Sequence, residues 1–96
     1  MELAEYTTDF ELYPSPTDET AINAIWDKFE DEPVEIASNA TMNLDDIITT
    51  KLFGTRQNGK EVWVVEKTSH HRYCVWVYDD RSEAVSEYIG CIDKDL

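Results

Sequence analysis

The chain is poor in basic residues and in glycine, and each shortage excludes a class of function. Lysines and arginines number 8 against 21 aspartates and glutamates, which gives a formal net charge of −13 over 96 residues. Contacts to nucleic-acid phosphates need clustered Lys and Arg, so a surface of this charge repels a nucleic acid. The 3 glycines, Gly54, Gly59 and Gly90, are too far apart to build a phosphate-binding loop. The sequence therefore argues against direct nucleic-acid binding and against nucleotide chemistry.

The sequence also lacks a long apolar run, and it has 2 cysteines. No stretch approaches the ~18 apolar residues of a membrane-spanning helix, and the N-terminus is acidic where a secretory signal is basic and then apolar. Without an export signal, the thiols of Cys74 and Cys91 are expected to stay reduced rather than to form a disulfide. We therefore expect a soluble, cytoplasmic protein with no membrane partner.

Apolar residues are nevertheless abundant. They make up 42% of the chain, with three Trp, five Tyr and three Phe, which is enough for a packed core despite the charge. No internal repeat, low-complexity tract or linker divides the sequence. Residues 1–96 are therefore predicted to form one acidic α+β domain.

The densest apolar stretch, residues 51–78, is predicted to be a three-stranded antiparallel meander. Asn58 and Gly59 tolerate the positive φ of a type I′ turn, and β-branched and aromatic residues flank them. A second, longer turn is predicted at residues 67–71. Alternation along the strands assigns the side chains to two faces. The first face carries Val62, Val64, Val75 and Val77. The second carries Trp63, Trp76 and Tyr78, which need a cover from the chain itself or from a partner.

Upstream of this meander, the pattern predicts one strand and one helix. Apolar and polar residues alternate along residues 4–13, which is typical of a strand with an acidic outer face. Ser15 is a good N-cap, and Pro16 suits the first helical position. Pro33 disfavours helical geometry at the residue before it, so the helix should end near Glu32. The apolar face of this helix consists of Ile22, Ile25, Trp26 and Phe29.

Between the helix and the meander we expect a short extended piece at residues 34–36, a loop at residues 38–43, and a strand that begins near Ile48. Asn43 could also cap one helical turn through Leu44, Ile47 and Ile48. The β-branched run that follows the loop favours an extended backbone.

A second helix is predicted after Asp80. Asp80 and Glu83 form a capping-box pattern, and apolar residues recur at helical spacing from Val85 to Ile92. The resulting order is β-α-β-β-β-β-α. It predicts an α+β fold: a single-domain antiparallel sheet of four to five strands, covered on one face by two helices.

The most enzyme-like cluster is His70, His71 and Cys74, because imidazole and thiol together can form a nucleophile pair or bind zinc. On a strand, however, neighbouring histidines point to opposite faces, and no CxxC or HExxH spacing supplies further ligands. The adjacent carboxylates at residues 45–46 and 79–80 could bind a divalent cation or act as an acid and a base. Neighbouring residues on a strand point to opposite faces, however, and acids at a helix start are explained by capping. We therefore predict a protein that is not an enzyme, with no catalytic residue, no metal and no cofactor.

The acidic charge is concentrated in the first half of the chain. Residues 1–50 hold thirteen acids against one base, Lys28, whereas residues 51–96 hold eight acids against seven bases. Carboxylates two apart on a strand recur every ~6.6–6.8 Å, and a helix adds a second acidic row, so this half can present a phosphate-like array. The predicted partner-binding residues are Glu5, Asp9, Glu11, Asp27, Glu30, Asp31, Glu32 and Glu35.

In size, acidity and compact α+β pattern, the chain resembles the small phage-encoded inhibitors of the anti-CRISPR and anti-restriction type. The resemblance is one of composition and carries no residue roles. It implies a non-enzymatic, acidic nucleic-acid mimic that docks on the basic, nucleic-acid-binding surface of a partner protein or nuclease complex.

Three alternatives stay open. An immunity protein or antitoxin that neutralises a basic nuclease toxin would use the same physics on another target. A small enzyme or metal protein would use His70, His71 and Cys74. A structural subunit of a larger assembly would be favoured if Trp63 or Trp76 proves exposed.

Overall fold

The computed structural model describes residues 2–9, 26–43, 46–69 and 72–94. In this part of the chain the strands are β1 (Glu2–Asp9), β2 (Val34–Asn43), β3 (Asp46–Gln57), β4 (Lys60–Thr68) and β5 (Arg72–Tyr78). They are followed by helix α1 (Arg81–Lys94).

All neighbouring strands pair antiparallel, in the spatial order β1-β5-β4-β3-β2. The predicted α+β class, an antiparallel sheet with a helix packed on it, is confirmed. Within the described ranges, no helix is long and apolar enough to cross a membrane.

The turn between β3 and β4 has the geometry that its sequence predicts. Asn58 has a φ of 55° and Gly59 a φ of 77°, and the flanking residues Gln57 and Lys60 are paired across the ladder. Both central residues are therefore in the left-handed region that a two-residue hairpin needs, where Asn and Gly carry the smallest steric cost. This hairpin fixes the register of the two strands.

The two central strands, β4 and β5, are buried on both faces. Val64 and Val75 are 0% exposed on one face, and Val65 is 0% exposed on the other. Val62 and Val77 complete the first face, which we call the valine face. Because both faces exclude water, each needs its own layer of side chains.

Helix α1 covers the face opposite the valine face. Trp63, Trp76 and Tyr78 lie in one apolar cluster with Ala84 and Cys91 of the helix. The chain therefore supplies the cover that these aromatic residues require, and neither tryptophan is exposed. This removes the observation that would have favoured a structural subunit of an assembly.

The start of α1 is capped as its sequence predicts. The Asp80 carboxylate accepts a hydrogen bond from the Ser82 backbone N–H at 3.1 Å, and the Asp80 carbonyl accepts one from the Ala84 N–H at 3.1 Å. The bond from Ser82 satisfies a donor that a helix N-terminus otherwise leaves open, and the bond from Ala84 is the first hydrogen bond of the helix itself. The helix continues past Gly90 to Lys94 because Cys91 is buried against the sheet. Cys74 and Cys91 are both buried, and they do not form a disulfide.

The valine face is covered by the segment around Trp26 and Phe29, which pack against Phe53 and against the valines. Trp26 and Phe29, the described part of the predicted first helix, therefore lie on the face opposite α1. Helical geometry stops at Trp26, and residues 27–31 form turns and bends rather than a helix that reaches Glu32. This turn buries Phe29 in the core of the valine face.

The other residues of the predicted first helix, including Ile22 and Ile25, lie outside the described residues, so the two-helix detail stays a prediction. The same holds for residues 10–13 of the predicted first strand. The described part of that strand, β1, pairs with β5, with Tyr6 opposite Val75.

The prediction of a loop at residues 38–43 is wrong. These residues belong to β2, which runs for 10 residues along β3, with a bulge between Glu35 and Ala37. Small polar side chains give little strand signal of their own, so the pairing partner decides their conformation. β3 also begins at Asp46, two residues before the predicted start, because Asn43 and Asp46 are paired across the hairpin.

Trp26 is expected to hold its segment on the valine face. Trp26→Ala should lower the free energy of unfolding by about 3 kcal/mol, because it removes ring contacts to Phe29 and Phe53. Ile89→Ala is the matched control, since Ile89 is 51% exposed, and it should cost less than about 1 kcal/mol. Urea unfolding measures both values. Equal losses in the two variants would show that the Trp26 segment is not part of the core.

Candidate partner-binding surface

The largest acidic feature of the described chain is a segment that leads from the Trp26 turn into β2. The turn is closed by the Phe29 N–H, which donates to the Trp26 carbonyl at 3.1 Å, and Phe29 is 9% exposed. Burial of this one ring leaves the neighbouring carboxylates in water. We call the following exposed residues the acidic ridge: Asp27, Glu30, Asp31, Glu32 and Glu35.

Backbone hydrogen bonds fix the ridge to the β3–β4 hairpin. The Glu30 N–H donates to the Arg56 carbonyl at 2.8 Å, and the Thr55 hydroxyl donates to the Asp31 carbonyl at 2.7 Å. The Glu30 carboxylate accepts from the Gly59 N–H at 2.5 Å. Three contacts to one hairpin hold the ridge backbone in a single position, so its charges are arranged before any partner arrives.

Two carboxylates of the ridge are partly neutralised by bases of the second half of the chain. Asp31 lies 3.9 Å from the Arg56 Nε, and Glu35 lies 3.5 Å from the Lys51 Nζ. All four side chains are at least a third exposed, so each pair contributes ~0–1 kcal/mol and exchanges readily with other ions. Desolvation, and then the negative charge of Glu35, raise the pKa of Tyr88 on α1.

The sheet separates the predicted partner-binding residues into two groups. Glu5 and Asp9 lie on β1, at one edge of the sheet, and Glu35 lies on β2, at the other. Four strand spacings of ~4.8 Å put these edges ~19 Å apart. Glu11 lies outside the described residues. The acids of residues 27–35 come together in the ridge, although on a turn rather than on the predicted helical row.

A groove of about 510 Å³ lies beside the ridge, where α1 stops covering the sheet. Sequence reasoning missed this groove. Gly54 is the signal that could have found it, because a lone glycine inside a strand often marks a close approach, and a Cβ there would lie 3.4 Å from the Ile36 Cδ1. The groove is lined by Asp31, Glu32, Val34, Ile36, Gly54, Thr55, Arg56, Glu61, Val62, Trp63 and Arg81.

A buried chain of hydrogen bonds lies under the Trp26 turn. The Trp26 indole N–H donates to the Tyr73 hydroxyl at 2.6 Å, and that hydroxyl donates to the Glu66 carboxylate at 2.6 Å. Burial, and then the Glu66 charge, raise the pKa of Tyr73 well above its usual value of 10.0. The phenol therefore keeps its proton and acts as a structural donor.

Of the predicted cluster of His70, His71 and Cys74, the structure describes Cys74, and both histidines lie outside the described residues. Cys74 is 5% exposed in β5. Within the described ranges, no group of three or more His, Cys, Asp or Glu side chains is placed to hold a metal ion. The metal-protein alternative therefore stays untested.

No protein-family model matches this chain, and no curated protein sequence and no solved structure matches it either. Function must therefore be argued from the surface itself.

Tyr73 is expected to make stability depend on alkaline pH. Below pH 10 both the folded and the unfolded chain hold the phenol proton, so its contribution is constant. Above pH 10 the unfolded chain loses that proton while folded Tyr73 keeps it, so stability falls as the pH rises, by up to ~1.4 kcal/mol per pH unit. Urea unfolding between pH 9 and ~11 should show a shallower decline for Tyr73→Phe than for the unchanged protein. Parallel declines would contradict the assignment.

We expect the purified protein to hold no stoichiometric metal, because the His and Cys residues lack the spacing of a closed site. Elemental analysis by plasma mass spectrometry measures this directly. About one zinc per chain, with loss of the fold in chelator, would contradict it. Cys74→Ala is then expected to reduce stability through lost packing and to leave partner binding unchanged.

Proposed function

We propose that this protein is a non-enzymatic acidic inhibitor that binds the basic, nucleic-acid-binding surface of a partner protein in place of the nucleic acid. The observation that carries the proposal is the acidic ridge. Five exposed carboxylates lie within residues 27–35, where Lys28 is the one base. A partner site built for phosphates presents Lys and Arg groups that match such a surface.

The fixed ridge backbone supports this proposal. A mimic must offer its charges in one arrangement, because ordering a loose segment at the moment of binding costs affinity. Glu30 and Asp31 are held by the β3–β4 hairpin, and the exposed ion pairs of Asp31 and Glu35 are weak enough for a partner's guanidinium groups to replace them. The ridge is therefore the proposed primary contact.

The acids of the first strand are the proposed second contact. Glu5 and Asp9 lie on the far edge of the sheet from the ridge, and Glu11 follows them in the sequence. One partner that touches both groups needs a basic surface at least ~19 Å wide. A narrower partner would touch the ridge alone, so variants of the two groups separate these cases.

This mechanism fits an anti-CRISPR or anti-restriction inhibitor. It also fits an immunity protein or antitoxin that neutralises a basic nuclease toxin, because the same charges would block a nuclease active site. Neighbouring genes distinguish the two: a toxin gene beside this one favours the immunity protein. A metal protein that uses His70, His71 and Cys74 is the remaining candidate from another class.

Neutralising the ridge should weaken partner binding without unfolding the protein. The test variant combines Asp27→Asn, Glu32→Gln and Glu35→Gln; it spares Glu30 and Asp31, which hold the segment on the hairpin. The matched control removes three acids from α1: Glu83→Gln, Glu87→Gln and Asp93→Asn. We expect the ridge variant to bind at least about tenfold more weakly, the control variant to change less than about threefold, and both to keep the thermal midpoint.

The partner for this measurement comes from affinity capture on the immobilised protein, followed by mass spectrometry. Its binding should weaken steeply with added salt and should compete with nucleic acid, since both ligands would use the same Lys and Arg groups. Equal effects of the ridge and control variants, or simultaneous binding of the partner and nucleic acid, would reject the mimic and leave a general acidic adaptor.

A further inference from the structure

The outer edge of β2 differs from the other edge of the sheet. β1 carries Glu2, Glu5 and Asp9 within 8 residues and has a bulge near its start. Charged residues and bulges are the devices that keep an edge strand from pairing with another chain. β2 has its bulge and its one charged residue, Glu35, at its beginning. Residues 37–43 are then regular, uncharged and free of proline, and among the described residues no strand pairs with their outer edge.

Exposed apolar side chains lie at both ends of β2. In the described part of the chain, five large hydrophobic side chains are exposed. Three of them, Val34, Ile36 and Met42, belong to β2, and a fourth, Ile47, belongs to β3. Val34 is 67% exposed and Met42 is 74% exposed, and Ile47 is paired with Met42. Apolar surface of this kind marks an interaction site when it is grouped rather than scattered.

The charge at the two ends of β2 identifies the occupant. Asp31, Glu32 and Glu35 lie at its beginning, and Asp46, which is paired with its last residue, lies at its end. If a second copy paired with this edge, acids would meet acids at both ends, whether the strands ran parallel or antiparallel. Like charges placed side by side across two strands are destabilising. The edge therefore disfavours a second copy and suits an extended segment with bases at both ends.

The groove beside the ridge gives one of those bases a place to bind. Ile36 and Trp63 form apolar walls. The charged residues that line the same groove are three acids and two bases, so acids are in excess: Asp31, Glu32, Glu61, Arg56 and Arg81. An arginine or lysine side chain can lay its methylene stem on the apolar walls and keep its charge against the carboxylates. The groove opens at the beginning of β2, where an end of an added strand would lie.

We propose that the outer edge of β2 accepts an extended segment of a partner protein as an added strand, with small or apolar residues at its centre and Lys or Arg at both ends. The inference rests on the proposed function in one respect: the partner is basic. It adds how the partner is held, through backbone hydrogen bonds to residues 37–43 together with charge contacts at both ends of β2.

A labelled synthetic peptide with a Val-Thr-Val-Thr-Val centre and two lysines at each end is the probe. Fluorescence anisotropy measures its dissociation constant, and hydrogen exchange locates it. The expected result is saturable binding below about 1 mM, at least about tenfold tighter than that of the same peptide with glutamates at its ends. Backbone amides of residues 37–43 should gain protection. No binding of the lysine peptide, or protection confined to β1, would overturn the proposal.

Proline variants test the backbone contact. Neighbouring N–H groups of a strand point to opposite sides, so one of Asn39→Pro and Ala40→Pro removes an outward donor and keeps the β2–β3 ladder. Thermal unfolding identifies that variant, because the other loses a ladder bond. The variant that keeps its stability should bind the peptide at least about tenfold more weakly. Unchanged affinity would overturn the proposal.

Two lysine variants distinguish binding at the β2 edge from a general attraction to the acidic protein. Ala40→Lys and Ser86→Lys each add one positive charge at an exposed position, on β2 and on α1 respectively. The first should weaken peptide binding by about fivefold and the second by less than about twofold, because only the first lies beside the added strand. Equal effects would overturn the proposal. So would sedimentation that shows a dimer whose formation protects residues 37–43.

The outcomes for the two proposals are distinguishable. The mimic fails if partner and nucleic acid bind together, and this result says nothing about the β2 edge. The β2-edge proposal fails if the proline variant and Ala40→Lys keep full affinity for the peptide. Whether the ridge carboxylates bind a partner is decided independently by the ridge variant.

Discussion

Burial of β4 and β5 on both faces is the constraint on which the rest of this structure depends. Val64, Val65 and Val75 have no exposed surface, so a layer of side chains must close each face of the sheet. Helix α1 closes one face, and the segment of Trp26 and Phe29 closes the other. With both faces of the central strands covered, the described surface left for recognition includes the edges of the sheet, the ridge, the groove and the outer side of α1.

Sequence patterns predicted the parts of the fold that rest on local or alternating signals. The Asn58-Gly59 turn needs only two residues with positive φ, and the separation of Trp63 from Val62 and Val64 follows from strand alternation. The Asp80 cap is equally local. These features were predicted correctly because each is decided within a few residues of the chain.

The parts that were missed depend on contacts far apart in the sequence. Residues 38–43 have little strand propensity, and it is the ladder with β3 that makes them a strand. The turn that follows Trp26 places Phe29 in a core formed by β4 and β5. The ridge owes its position to bonds from Thr55 and Gly59, and the groove is lined by residues of β2, β3, β4 and α1. No local pattern contains these pairings.

The fold also changes the meaning of the charge asymmetry. In the sequence nearly all excess acid lies in the first half, but the structure brings Lys51 and Arg56 of the second half against Glu35 and Asp31. These exposed ion pairs reduce the electrostatic self-repulsion of the folded chain. They are weak enough to break and re-form readily. A basic partner must displace them, which costs at most ~1 kcal/mol each. In the proposed complex, attraction between unlike charges mainly speeds encounter, and the proposed contacts at the groove and the β2 edge would slow dissociation.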